Sequence, residues 1–248
     1  MSMYNPEPKF RPKVQPKVQP KVTVSSYIKE SGQVGNWLFY NGAGDLLRDF
    51  SGEDNHGDIL GPKWVDGPYG WGLDFDGVDD YVNMGNPPSL NPDYVTALAW
   101  IMGRNFDETP LRCVVEKPYT TFGDPYHQYC VGYALDANKP YACVSVGGSR
   151  YDMSGATTIT NGNWYHLALT FDGSYLRLYV NGEEDPDSPV SVSGTLDTYD
   201  TDFELGRLST DTGHEVDGII KYARVYDRAL SDAEIGEHFE RTRGIFGV

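Results

Sequence analysis

Along most of the chain, apolar residues come in short runs divided by Gly, Asn, Asp and Pro. The runs are rich in β-branched and aromatic residues, a pattern that predicts an antiparallel sandwich with little helix. Strands are expected over residues 36–40, 71–75, 81–84, 94–102, 111–117, 126–135, 141–146, 164–171, 175–180, 201–205 and 219–226. In the run 164–171, Tyr165, Leu167, Leu169 and Phe171 alternate with Trp164, His166, Ala168 and Thr170, as a half-buried strand requires. Asp172-Gly173-Ser174 then turns the chain back, and Asn181-Gly182 supplies a second tight turn. Near the C-terminus Ser231-Asp232-Ala233-Glu234 has the form of a capping box. It opens a short amphipathic helix with Ile235, His238 and Phe239 on one side, expected to end near Gly244 and to pack outside the sandwich.

The beginning of the chain breaks this rhythm. Between Pro12 and Val22 the unit Pro-Lys-Val-Gln repeats with a period of four. Such spacing denies a helix its donors and favours polyproline II, so residues 6–21 can extend on the order of 50 Å at about 3.1 Å per residue. Residues 1–22 therefore read as an extended arm and 23–248 as one sandwich domain, a length within the range of single all-β domains. The arm is either a flexible linker or a docking segment that orders on an acidic neighbour, such as another copy of the chain.

Charge sharpens the division. With 20 Lys+Arg against 36 Asp+Glu the net charge is −16. Lys9, Arg11, Lys13, Lys17 and Lys21 against Glu7 give the arm +4, which leaves −20 for the remainder. A field of that sign repels phosphate backbones and anionic lipid, so nucleic acid and membrane insertion are not expected. Two readings account for the acidity: an extreme-salt habitat, where the Debye length falls to about 3 Å, or an ordinary acidic secreted domain. No apolar run is long enough to span a membrane, and the first twenty residues lack the apolar stretch of an export signal. Cys113, Cys130 and Cys143 show no metal-binding spacing. A hairpin turning at residue 121 or 122 would set Cys113 opposite Cys130, which permits a disulfide, although buried thiols are the expected state.

Three stretches, taken together, resemble the laminin-G-like branch of the concanavalin A-like lectin/glucanase superfamily. The first runs from Trp37 through Asp49-Phe50-Ser51-Gly52-Glu53-Asp54-Asn55-His56-Gly57 to Gly72-Leu73-Asp74-Phe75-Asp76-Gly77-Val78-Asp79-Asp80-Tyr81-Val82. The second joins Gly162-Asn163-Trp164-Tyr165-His166 to Leu178-Tyr179-Val180-Asn181-Gly182, and the third is Asp217-Gly218-Ile219-Ile220-Lys221-Tyr222-Ala223-Arg224-Val225-Tyr226. The resemblance implies an all-β jelly-roll sandwich of two antiparallel sheets. It also implies a structural calcium held between the Asp49 loop and an acidic residue of the late strand, with Asp49, Ser51 and Asn55 offering oxygens. Lys221 stands where that acid belongs, so a Lys221–Asp49 salt bridge is expected to replace the ion, with calcium as the alternative.

Catalysis is not expected. The Glu-x-Asp-x-x-Glu strand of the family's glucanases is absent, and the acidic run Glu183-Glu184-Asp185-Pro186-Asp187 reads as a solvated, proline-broken loop. His166 reads as a satisfied structural histidine and Asp76, Asp79 and Asp80 as turn residues. The loop 117–126 displays Tyr119, Phe122 and Tyr126, either as a contact surface for carbohydrate or protein or as a clasp over the sheet edge. The expected function is a non-enzymatic structural and interaction protein, a virion-surface subunit anchored by its basic arm in a homo-oligomer, with a halophilic virus as one setting. The alternative is a carbohydrate-binding lectin or adhesin module at the cell exterior.

Overall fold

The computed structural model describes residues 29–248 apart from 68, 69, 109, 122, 134, 135 and 211. The arm, with Lys9, Arg11, Lys13, Lys17 and Lys21, lies outside the described residues. Among the described residues the strands are β1 (Gln33–Trp37), β2 (Leu46–Leu47), β3 (Gly57–Leu60), β4 (Lys63–Gly67), β5 (Gly70–Asp76), β6 (Tyr81–Asn83), β7 (Val95–Gly103), β8 (Arg112–Pro118) and β9 (His127–Tyr133). They continue with β10 (Pro140–Val146), β11 (Ser149–Ser154), β12 (Tyr165–Phe171), β13 (Tyr175–Val180), β14 (Glu183–Glu184), β15 (Val190–Ser191), β16 (Glu204–Leu205) and β17 (Asp217–Tyr226), followed by the helix α1 (Asp232–Phe246).

One sheet has the order β14-β13-β12-β7-β17-β5-β4, with β1 also on β17 and β15 on β13. The other has the order β11-β10-β9-β8-β16-β6-β3-β2. The pairings are antiparallel, so the chain is the expected all-β sandwich with one short C-terminal helix. Alternation explains how the layers meet. Leu167, Leu169 and Phe171 of β12 turn inward against Val131, Tyr133, Ala142 and Val144 of the opposite sheet. Each such side chain removed from water contributes roughly 1.5–3 kcal/mol. Ala168, on the other face of β12, joins Leu98, Tyr179, Tyr226, Leu230 and Ile235 in a second cluster with the start of α1.

The turns follow the sequence chemistry. Asp172 accepts the N–H groups of Ser174 and Tyr175 at 2.8 and 2.7 Å and closes the β12–β13 hairpin. Asn181 and Gly182 both take left-handed conformations, with φ of 52° and 81°. The capping box is formed, Glu234 accepting the Ser231 N–H at 2.8 Å. The helix runs past Gly244 to a left-handed Gly247, later than expected. Glycine inside a helix costs about 1 kcal/mol, less than is gained by burying Phe246, whose ring stacks on Trp100 at 4.0 Å.

Other boundaries differ for identifiable reasons. The first strand lies earlier than residues 36–40 because Phe39 has a φ of 57°. Strands β3, β4 and β11 were not expected from the apolar pattern, since they carry partly exposed positions. In the β8–β9 hairpin Cys113 lies opposite Gly132 and Cys130 opposite Glu116, so the anticipated facing of Cys113 and Cys130 is not formed. The hairpin turns one residue later than expected, Pro118 pairing with His127, and this alone moves Cys113 two positions along β9 from Cys130. All three cysteines are buried and unbridged.

Candidate functional site

The residues expected to hold calcium do meet, around a single carboxylate. Asp49 accepts the N–H groups of Asn36, Ser51 and Asn55 at 2.9, 2.8 and 3.0 Å, and the Ser51 hydroxyl at 2.6 Å. The Asn55 side-chain amide donates to the Val34 carbonyl and to the Ser89 hydroxyl, while the Asn55 backbone carbonyl accepts Trp37 Nε1–H at 2.8 Å. Calcium requires six to eight oxygens turned toward one point. Here N–H and O–H donors converge on the anion instead, so this loop does not fit the ion.

The expected Lys221–Asp49 salt bridge is not formed, because the Asp49 carboxylate is taken up by the donors just named. Tyr222 has a φ of 61° and the β17–β7 register is irregular between Lys221 and Arg224. The Lys221 ammonium consequently lies 5.6 Å from the centre of the Phe246 ring. Burial lowers its pKa to about 8, with Asp66 pulling the other way. Asp76, Asp79 and Asp80 come together, but Asp76 accepts the Val78 N–H and Asp80 the Asp76 N–H, as turn residues do.

The aromatic loop divides. Tyr119 donates its N–H to the Tyr126 carbonyl at 2.7 Å, while its ring meets Tyr199 edge-on at 4.5 Å. Phe122 lies outside the described residues. Tyr126 has a φ of 60° and turns toward Arg150, whose guanidinium carbon is 5.1 Å from the ring centre. These two, with His127, Tyr141, Leu208 and His214, line an open cleft of about 170 Å³. Asp124 and Asp152 hold Arg150 at 3.6 and 3.7 Å. The half-buried Tyr126 ring, beside the exposed Arg150 guanidinium and the half-buried His214, can stack on an apolar ring face and bond its hydroxyls, while the buried Tyr141 and His127 form the floor of the cleft.

Beside this cleft lies the outer face of the second sheet, where Cys113, Cys130, Tyr141 and Cys143 pack with Leu111 and Leu208. Glu116 and Glu204 face one another across β8 and β16, a pair that sequence reasoning missed because strand pairing, not spacing, creates it. Each is already engaged. His127 Nδ1 sits 2.9 and 3.0 Å from the two Glu116 oxygens, and Arg207 donates to Glu204 at 3.1 and 2.8 Å. Burial raises the pKa of Glu204, opposed by Arg207. Retaining glycoside hydrolysis needs two carboxylates about 5–5.5 Å apart that reach the sugar. These two are 0% and 1% exposed, so they present no nucleophile to a ligand in the cleft.

Two other expectations are corrected. Asp185 is not solvated but buried, and it accepts the N–H groups of Ala156 and Thr157 at 2.7 and 3.0 Å. His166 packs as a structural residue without a hydrogen bond: among the described residues neither ring nitrogen has a partner, and the ring lies against Trp100 and Phe239. Burial, with His238 and Arg224 nearby, lowers its pKa to about 3.

A laminin-G family model, described as concanavalin A-like lectin/glucanases superfamily, matches residues 76–236. No curated protein matches the sequence. Among solved structures, domain 4 of an extracellular GH43 arabinanase from Geobacillus stearothermophilus, in complex with arabinotriose, is 18% identical with a TM-score of 0.66. The match covers 84% of this chain and 98% of that one. A Trypanosoma rangeli sialidase is 17% identical with a TM-score of 0.63, covering 86% of this chain and 33% of that one. The receptor-binding domain of botulinum neurotoxin D is 12% identical with a TM-score of 0.61, covering 85% and 53%. The chain thus spans nearly all of the arabinanase domain, a third of the sialidase chain and about half of the toxin domain. At such identities these likenesses show the fold.

Proposed function

Because this chain belongs to the concanavalin A-like lectin/glucanase superfamily, we propose that it is a non-enzymatic recognition domain whose ligand is a carbohydrate bound in the cleft between Tyr126, Tyr141 and Arg150. The observation that carries this reading is the cleft itself, where the half-buried Tyr126 ring and a guanidinium held by two carboxylates meet at one opening over a floor that includes Tyr141. The arabinotriose bound by the arabinanase domain supports the ligand class. Tyr119 and Phe122 belong to the same proposed contact loop, Tyr119 as a prop on Tyr199. The locked state of Glu116 and Glu204 supports binding without turnover. A broad glycan array, begun with arabino-oligosaccharides, tests the proposal. Binding that falls at least tenfold in Tyr126→Ala and Arg150→Ala is expected, and an array without a positive sugar overturns it.

A second reading, compatible with the first, makes the chain a subunit displayed on a virion surface or a similar extracellular assembly. Segregation of charge favours it, +4 on residues 1–22 against −20 on the rest, since the arm of one copy complements the body of another. In this reading residues 1–22 are an assembly arm, 23–248 a separate sandwich, and the chain a homo-oligomer. Deleting residues 1–22 should leave a folded monomer by sedimentation. Unchanged assembly after the deletion removes this reading.

A further inference from the structure

In a regular strand, residues three apart point to opposite faces of the sheet. Cys113 and Glu116 are three apart in β8, and His127 and Cys130 are three apart in β9, yet ligand atoms of all four lie within 4.8 Å of one another. The pairing register supplies the reason. Cys113 pairs with Gly132 and Val115 with Val131, so Val114 is an extra residue between Cys113 and Glu116. Lys117 pairs with Tyr129 and Pro118 with His127, so Gln128 is an extra residue between His127 and Cys130. Each strand carries one irregularity, and each falls between the two members of a pair. Bulges re-aim side chains, and these two bring the four groups together.

We propose that Cys113, Glu116, His127 and Cys130 form a binding site for a thiophilic divalent metal ion, zinc by chemical class. Two sulfurs, one imidazole and one carboxylate suit a closed tetrahedral zinc site, and the sulfurs discriminate against calcium and magnesium. All four residues are buried, as a structural site requires. The His127–Glu116 contact at 2.9 Å puts the imidazole and carboxylate together before an ion arrives. The cleft lined by Tyr126, His127 and His214 gives an ion a way in. Cys143 pairs with Cys130 on the neighbouring strand but stands outside the group of four. Both cysteines are unbridged, and a free cysteine is a thiol near neutral pH. Binding then forms two metal–sulfur bonds and releases two protons to solvent per ion. The site ties β8 to β9 and needs no glycan, so its test is independent of the recognition reading.

The full-length chain, stripped with a chelator and kept reduced with a phosphine, is titrated with cobalt(II) as the probe. The expected result is one equivalent bound, with the visible bands of tetrahedral cobalt and near-ultraviolet thiolate charge transfer, both abolished by one equivalent of zinc. The Cys113→Ser/Cys130→Ser double variant should lose these bands and Cys143→Ser should keep them. Absence of the bands in the wild type, or their persistence in the double variant, overturns the proposal. Should the double variant not fold, the single variants Cys113→Ser and Cys130→Ser decide: cobalt bands weakened or lost in both support the site, and bands unchanged in both overturn it.

Discussion

Replacing Asp49 by alanine tests whether this loop is held by an internal anion in place of a metal. The carboxylate accepts four hydrogen bonds between 2.6 and 3.0 Å, three of them from backbone N–H groups. Hydrogen bonds to a charged group contribute about 1.5–3 kcal/mol each, but water entering the vacated space would recover part of the loss. A net cost of about 4 kcal/mol follows, and at roughly 2–4 °C per kcal/mol for a domain of this size Tm should fall by about 12 °C. Scanning calorimetry of wild type and Asp49→Ala, each with millimolar calcium and with chelator, gives the comparison. Both proteins should be indifferent to calcium. A loss below about 1 kcal/mol, or a calcium-dependent rise in wild-type Tm that the variant lacks, refutes the reasoning.

Other consequences are as direct. His166 is held neutral, with its pKa lowered to about 3 by burial, so the unfolded chain binds its proton first as pH falls. Its contribution is intact above about pH 6.5 and is lost progressively between 6.5 and 3, on the order of 4–5 kcal/mol in full. Urea unfolding of His166→Leu across that range should show a shallower acid limb, and an unchanged limb counts against it. A Cβ at Gly132 would sit 2.1 Å from the Arg112 carbonyl oxygen, a backbone atom that cannot swing away. Gly132→Ala should therefore cost more than about 3 kcal/mol, measured by the same unfolding curves. If the acidic composition reflects an extreme-salt setting, stability should rise between low and molar salt, and a flat response assigns the charge to an ordinary acidic surface.

The legible part of the fold was the part that repeats. Leu167, Leu169 and Phe171 declare an inward face by alternation, Asp172-Gly173 and Asn181-Gly182 declare turns by backbone chemistry, and Ser231 with Glu234 declares a helix start. Exposed edge elements such as β11 declare little, since Ser149, Arg150 and Asp152 carry no apolar period; Gly147 and Gly148, both with positive φ, were the usable signal there. The candidate site was less legible still. Tyr126 stood out as a displayed aromatic, but its partners Arg150 and Tyr141 come from other strands and meet it only through sheet pairing. The Lys221–Asp49 expectation rested on the family position of Lys221, and a left-handed Tyr222 with an irregular register just beyond it is a local feature that the resemblance does not carry. The grouping of Cys113, Glu116, His127 and Cys130 rests on two extra residues in paired strands, and regular strand periodicity places those pairs on opposite faces.

The most direct test of carbohydrate recognition is a crystal structure of the chain with the best oligosaccharide from the array. The expected result is an intact sugar in the cleft, stacked on Tyr126 and hydrogen-bonded to Arg150, with Glu116 still on His127 and Glu204 still on Arg207. A sugar bound on the α1 side of the sandwich, or one cleaved beside an opened Glu116 and Glu204, would contradict it.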